Sequence, residues 1–218
     1  MKFICDIKRD AAMNMALDEV LFEQCRNEPV LRLYFWDGKH TTIGYFQKTA
    51  ETENKNFVRR FTGGLTVNHE NDISYGFIAS SDNWQDVYSQ SETFKKLHTA
   101  IQKALLSAGI KSLHLDQTKG AANNICTETL YENDLLYNGK KIAGSCIRRR
   151  GNRIFVQGSV HIALEDEAKA VFCQDFAANV AKLLNDTVSK EHISRSLEAA
   201  ACELAAVKYR SPDWNNKF

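Results

Sequence analysis

Three stretches of this sequence gather residue types that do chemistry. The first is Val58-Arg59-Arg60-Phe61-Thr62-Gly63-Gly64, in which two adjacent arginines leave an apolar segment and meet two glycines. Glycine lets backbone N–H groups approach an anion closely, and arginine offers a planar fork to carboxylate or phosphate. A tight turn with two solvated arginines would look the same. The second is Asn138-Gly139-Lys140-Lys141-Ile142-Ala143-Gly144-Ser145. In a strand that follows an Asn-Gly turn, Lys140 and Lys141 point to opposite faces. Lys141 then shares a face with Ala143 and has room in front of it for a ligand. A lysine-guarded edge strand is the competing reading. The third is the basic run Arg148-Arg149-Arg150, with Arg153 just beyond. It suits a solvated hairpin tip, or a docking patch for an acidic partner.

Single residues add less. His69, at the end of an expected strand, could act as a general base or hold a backbone carbonyl as a core histidine. His40, His98, His114, His161 and His192 have no evident partner in sequence. The six cysteines (Cys5, Cys25, Cys126, Cys146, Cys173 and Cys202) are scattered, with no C-x-x-C pair and no zinc-type spacing. They read as reduced thiols, most of them small core residues. No Ser-His-Asp order, Walker A loop or paired-carboxylate spacing emerges.

The elements that must position these residues follow from periodicity. Asp10 is an N-cap for a helix to about Asn27 with an apolar face of Met13, Ala16, Leu17, Val20 and Leu21, and Pro29 ends it. Val30–Trp36, Thr41–Tyr45 and Phe57–Phe61 read as strands, and Leu65–Ala79 as more strand around a turn at Glu70-Asn71-Asp72. Trp84–Ala108 carries an apolar stripe through Val87, Phe94, Leu97, Ile101 and Leu105, with Gly109 as its stop. A hairpin turning at Asn138-Gly139, a return strand to Arg149, a turn at Gly151-Asn152 and a strand to Ala163 follow. Helices are expected over about Glu165–Leu184 and Ser189–Val207, and a frayed polar tail from Lys208. That order suggests α+β, with helices packed on one face of a mixed sheet.

Composition sets the outer bounds. The chain has 218 residues, 28 Lys plus Arg against 27 Asp plus Glu, and a formal net charge of +1. This balance argues against an electrostatic nucleic-acid binder. No apolar run approaches the ~20 residues of a membrane span, and the first residues show no signal-peptide core. A cytoplasmic protein with one domain over residues 1–218 is the expectation.

Taken together and in this order, the segments resemble the lipoate–protein ligase A family, within the biotin/lipoate ligase catalytic-domain fold. The resemblance starts at Asn14-Met15-Ala16-Leu17-Asp18-Glu19 and continues through Leu31-Arg32-Leu33-Tyr34-Phe35-Trp36 and Gly44-Tyr45-Phe46-Gln47. It takes in Arg59 to His69, then Asn133-Asp134-Leu135, Gly139 to Ser145 and Gln157-Gly158-Ser159, covering about residues 10–165. It implies an enzyme that joins a lipoyl or octanoyl group in amide linkage to a lysine of a carrier domain. Such carriers are the lipoyl domains of 2-oxoacid dehydrogenases and the glycine-cleavage H protein.

For the site, the resemblance implies acyl and nucleotide contacts from Arg59, Arg60, Thr62, Gly63, Gly64, His69, Gly144 and Ser145, with Lys141 on the activated acyl group. Two chemistries share this scaffold. The first reading is an ATP-dependent ligase that makes an acyl-adenylate, with Mg²⁺ held by Asn133. The alternative is an octanoyltransferase in which Cys126 takes octanoate from acyl carrier protein as a thioester, without ATP. Asn133-Asp134 favours the ligase, although Glu132 stands where ligases carry arginine. Leu65 replaces a third glycine and Gln157 a histidine, so a non-catalytic binder of lipoate or a carrier is a second alternative. The length leaves no room for the accessory domain of long ligases, so the expectation is either a separate accessory protein for activation or action only on preformed adenylate.

Overall fold

The structure is a computed structural model and describes residues 1–25, 27–52, 54, 56–115 and 125–218. In chain order, β1 (Lys2–Arg9), α1 (Ala11–Gln24), β2 (Val30–Trp36), β3 (His40–Ile43) and β4 (Val58–Arg59) come first. β5 (Val67–His69), β6 (Ile73–Ser80), α2 (Gln90–Ser107), β7 (Leu113–His114) and β8 (Leu135–Tyr137) follow. The chain then forms β9 (Lys140–Arg150), β10 (Arg153–Val160), α3 (Asp166–Leu183), β11 (Ser189–Glu191), α4 (Arg195–Leu204) and α5 (Pro212–Asn215). An eight-stranded mixed sheet runs β11-β1-β2-β6-β10-β9-β8-β7, and a second, three-stranded sheet runs β4-β3-β5.

Apolar residues occur on both faces of the central strands, and this dictates the layering. On β2, Leu31 and Leu33 face one side while Val30, Tyr34 and Trp36 face the other. On β10, Ile154 and Val156 are likewise opposed by Phe155. Two faces with apolar side chains need two covers. α2 and α3 pack together over the first face, α1 and α4 over the second. The expectation of helices on one face is therefore corrected, while the α+β class and the mixed sheet stand.

Local signals place most elements. Asp10 caps α1 by accepting from Met13 N at 2.7 Å. Asn138 and Gly139 take φ of 50° and 76°, the left-handed pair that a two-residue hairpin turn needs. Other boundaries differ from the periodicity. Ser89 caps α2, so Trp84–Tyr88 is a run of turns whose apolar side chains only extend the stripe. β1 was unanticipated, and residues Ser189–Glu191 pair with it in parallel before Ser194 caps α4. The tail is not frayed: Tyr209 is buried, and Trp214 Nε1 donates to the Arg59 carbonyl at 2.8 Å. Among the described residues no helix is long and apolar enough to cross a membrane.

Candidate active site

A cavity of about 690 Å³ lies where β9 and β10 meet the small sheet, the glycine loop after Arg60, and the segment that leads into β8. Its floor comes from β10 and from α1 behind it, where Gln157 and Met15 reach the wall. Gly64 has φ of 97°, which an L side chain rarely adopts, and that glycine lets the loop turn across the cavity. One end of the cavity carries a thiol and an ammonium; the other carries imidazoles and a guanidinium.

At the thiol end, Thr66 and Ile125 form an isolated parallel bridge, and Cys126 N donates to the Thr66 carbonyl at 2.8 Å. This contact sets Cys126 at the start of a short 3₁₀ turn facing β9. From β9, Lys141 lies across Gly144, where a Cβ would come within 2.6 Å of Lys141 Cε. Lys141 Nζ pairs with Asp134 Oδ2 at 2.7 Å, donates to the Thr129 carbonyl at 3.0 Å, and reaches Cys126 Sγ at 3.6 Å. Both charged side chains are buried, which is costly unless they pair. Burial pushes the Asp134 carboxyl above its usual range, and Lys141 offsets part of that rise. A cation beside a thiol favours the thiolate, the form that attacks acyl groups.

At the imidazole end, four side chains form one directed chain. Asp72 Oδ2 accepts from His69 Nδ1 at 2.8 Å, which leaves His69 Nε2 to accept from Thr42 Oγ1 at 2.9 Å. Thr42 Oγ1 in turn accepts from Arg60 at 2.8 Å. Arg60 also donates to the carbonyls of Gly63 at 3.1 Å and Leu65 at 2.8 Å, and so braces the glycine loop. Its buried Nε–H has no partner among the described residues. Trp36 stacks on His69 with ring centroids 3.8 Å apart. Burial lowers the basicity of His69, with Asp72 opposing, so the imidazole is neutral at neutral pH.

Beneath the thiol end, α2 contributes His98. Its Nδ1 lies 2.6 Å from the Asn133 carbonyl and its Nε2 2.6 Å from Ser145 Oγ, and Ser145 also hydrogen-bonds the Tyr75 hydroxyl. Burial lowers the His98 pKa to about 4. Beneath the floor, Gln157 uses its whole amide: Oε1 accepts from Thr62 at 2.8 Å, and Nε2 donates to Asp18 and Tyr34 at 3.0 Å each. Asp18 is paired with Arg32 at 2.7 Å, and Arg32 with Asp6 at 2.8 Å, a buried ion network that fixes β2 to α1.

The residues singled out from sequence divide cleanly in space. Cys126, Lys141, Arg60, Gly63, Gly64, His69, Asn133, Gly144 and Ser145 all line the cavity. Arg59 does not: its buried guanidinium donates to the carbonyls of Gly44, Tyr45, Gln47 and Asn215. It ties the loop after β3 to the C-terminal tail, so its expected acyl contact is corrected to a structural one. Thr62 lies behind the wall, between Gln157 and Cys146. The basic hairpin is likewise occupied. Arg148 donates to the Phe61 carbonyl, Arg149 to that of Val87 and Arg153 to that of Cys25, and Arg150 pairs with Glu23.

The donor set around Asn133 does not fit Mg²⁺. Its amide nitrogen donates to Ser91 Oγ at 3.3 Å, and the adjoining Asp134 carboxylate is taken up by Lys141 and the Tyr131 amide. Among the described residues no group of three or more His, Cys, Asp or Glu converges as a metal site, and no step is derived through the metal.

Sequence reasoning passed over His98, Asp72, Thr42 and Tyr75. A signal existed for His98, a polar residue flanked by Leu97 and Ile101 on the apolar stripe of α2. Thr42 and Tyr75 had none, because tertiary contacts alone bring them to the site.

The model of the lipoyl protein ligase A/B catalytic domain matches residues 10–207. The octanoyltransferase LipM of Brevibacillus brevis is 31% identical over 183 residues, 75% of this chain and 66% of that protein. Octanoyltransferase LipM of Oceanobacillus iheyensis is 31% identical over 178 residues, 76% of this chain and 65% of that protein. The matched part thus spans just under two thirds of the length of these relatives. In fold, the chain resembles the bi-partite lipoate protein ligase of an archaeal lipoylation system from Thermoplasma acidophilum, described together with its E2 lipoyl domain, with a TM-score of 0.75 and 18% identity, over 99% of this chain and 95% of that one.

Proposed function

The chain belongs to the lipoyl protein ligase A/B catalytic-domain family, and on that premise we propose that it is an acyltransferase working through a thioester on Cys126. The observation that carries this reading is Cys126 Sγ at 3.6 Å from a buried lysine ammonium. In the first step the Cys126 thiolate attacks the carbonyl of an octanoyl thioester. The bond from that carbonyl to the donor sulfur breaks, and the donor leaves as a thiol, taking the proton that the Cys126 thiol gave up in becoming the thiolate. In the second step the amine of a carrier-domain lysine attacks acyl-Cys126. An amide forms, the amine loses a proton, and Cys126 is regenerated as the thiol. Lys141 faces the sulfur that carries negative charge in both steps, and Asp134 and the Thr129 carbonyl hold it there.

The relatives named octanoyltransferase support this reading over the ATP-dependent ligase that Asn133-Asp134 first suggested. The acyl donor fitting this chemistry is a thioester-bearing carrier such as acyl carrier protein, and the acceptor is a lipoyl domain, the partner class seen with the T. acidophilum ligase. The substitutions that kept a pure binder open, Leu65 and Gln157, leave the thiol–ammonium contact intact.

The test is intact mass spectrometry of the purified chain with octanoyl thioester, and separately with octanoate and ATP. A one-octanoyl mass gain on Cys126, chased onto a lipoyl domain and absent in Cys126→Ala, is the expected result. Full carrier acylation by Cys126→Ala, or acylation only with ATP, would overturn it.

A further inference from the structure

We propose that His98 is a positioning residue of the transfer reaction, acting through the Asn133 carbonyl on the Asp134–Lys141 pair. The inference rests on the acyltransferase reading above. Its starting point is that a carbonyl oxygen only accepts. The 2.6 Å contact with the Asn133 carbonyl therefore puts the proton on His98 Nδ1. Nε2 is then a lone pair, and the Ser145 hydroxyl 2.6 Å away must donate to it. With its hydrogen spent, Ser145 Oγ accepts from the Tyr75 hydroxyl. The direction of the whole relay, Tyr75 to Ser145 to His98 to Asn133, is fixed by its last member.

What the relay holds is the segment that places the ammonium. Asn133 has φ of 70°, a left-handed conformation that asparagine tolerates, and its carbonyl is held there by His98. The next residue, Asp134, is the partner of Lys141 at 2.7 Å. A shift of the Asn133 carbonyl therefore moves Asp134, and with it the ammonium that faces Cys126. Ser145 lines the cavity on the same strand as Lys141, one residue beyond Gly144, over which Lys141 lies. His98 reaches both contacts from α2 and is 1% exposed.

The relay does not make His98 the base of the second step. A base works best with a pKa near the working pH, and burial has moved this imidazole far below it. The geometry assigns it the orienting role that a third group has beside a nucleophile and its partner.

The test reads Cys126 directly. Iodoacetamide alkylation of the Cys126 peptide is followed against pH by mass spectrometry in wild type, His98→Asn, His98→Gln and His98→Leu. The Asn amide reaches the place of Nδ1 and keeps the bond to Asn133. The Gln amide reaches the place of Nε2 and keeps only Ser145. Leu keeps neither. The expected result is a wild-type midpoint for His98→Asn and a midpoint higher by about one pH unit for His98→Gln and His98→Leu, with ~10-fold slower formation of acyl-Cys126 in the same two. A merely structural role would not separate Asn from Gln, because each retains one bond. Identical profiles for Asn and Gln would overturn the proposal, and so would a wild-type profile for Leu. If His98→Leu fails to fold, the Asn and Gln pair decides alone. Alkylation needs no acyl donor, so absence of acyl-Cys126 in the wild type would count against the acyltransferase reading and leave the His98 result standing.

Discussion

The two ends of the cavity hold similar residue types in opposite wiring. At the imidazole end the hydrogens run in one direction, from Arg60 to Thr42 to His69 to Asp72, and each link is between 2.8 and 2.9 Å. At the thiol end the ammonium is held tightly at 2.7 Å by Asp134, but the thiol meets it at 3.6 Å. Apart from the Arg60 Nε–H, the groups of this chain have spent their bonding capacity on each other, and changing charge there costs stability. A reactive group needs unspent capacity beside a source of charge. The number of titratable side chains does not separate the two ends; how far each is satisfied does.

The comparison is broken most directly at Lys141. Lys141→Gln keeps a hydrogen-bond donor near the Thr129 carbonyl and removes the charge. Single-turnover acylation of Cys126, read by intact mass, is expected to fall by ~10²-fold or more. Burial raises the Asp134 carboxyl and Tyr131 N still donates to it at 2.8 Å, and far-UV circular dichroism of the variant checks that the fold is kept. A rate within threefold of wild type would mean that the thiol end is as inert as the other.

Acid tests both ends together through stability. Burial lowers the pKa of His98 to about 4, and it lowers His69 and His161 as well. For a depressed histidine the unfolded chain takes up its proton first, near the ordinary pKa of about 6.5, while the folded chain resists. Stability is therefore complete above that value and is lost as the pH falls towards 4. His98 alone is expected to remove about 2 kcal/mol between pH 7 and pH 5. Asp18 and Asp134, whose carboxyls burial raises, work in the opposite sense as they protonate. Urea unfolding at the two pH values checks this, and His98→Asn should recover most of the His98 share. A loss between pH 7 and pH 5 that is the same in His98→Asn as in wild type would remove the case for a neutral buried His98.

How much of this could be read in advance depends on how local each cause is. The N-cap at Asp10, the Asn138-Gly139 turn and the room over Gly144 for Lys141 are consequences of neighbouring residues, and the sequence shows them. The neighbours Arg59 and Arg60 look alike in sequence, yet one braces the C-terminal tail and the other lines the cavity. Their roles are decided by Asn215 and Thr42, which only the fold brings to them. Cys126 reaches Lys141 because Thr66 bridges Ile125, a pairing with no periodic signature. β1 was missed because Lys2–Arg9 mixes apolar and charged residues, and its identity as a strand comes from parallel partners at Val30–Trp36 and Ser189–Glu191.

The smallest expected effect falls at the imidazole end, and it is the sharpest test of the wiring. Asp72 accepts from His69 Nδ1 and Ser74 Oγ through one oxygen and from the Glu70 amide through the other, at 2.8, 3.1 and 3.1 Å. In Asp72→Asn one oxygen becomes a donor. If the amide nitrogen faces Glu70, two N–H groups meet. If it faces His69, the imidazole must carry its hydrogen on Nε2 and donate to Thr42 Oγ1, which already accepts from Arg60, and the Thr42 hydrogen loses its acceptor. The first arrangement loses the Glu70 bond and the second leaves both the Thr42 and the Ser74 hydrogens without an acceptor, so urea unfolding should show at least about 1–2 kcal/mol of destabilisation. Acylation of Cys126 should stay within threefold of wild type, because none of these bonds touches Cys126, Lys141 or Asp134. The reverse outcome, unchanged stability with a loss of acylation like that of Lys141→Gln, would place the chemistry at the imidazole end and reduce the thiol end to scaffold.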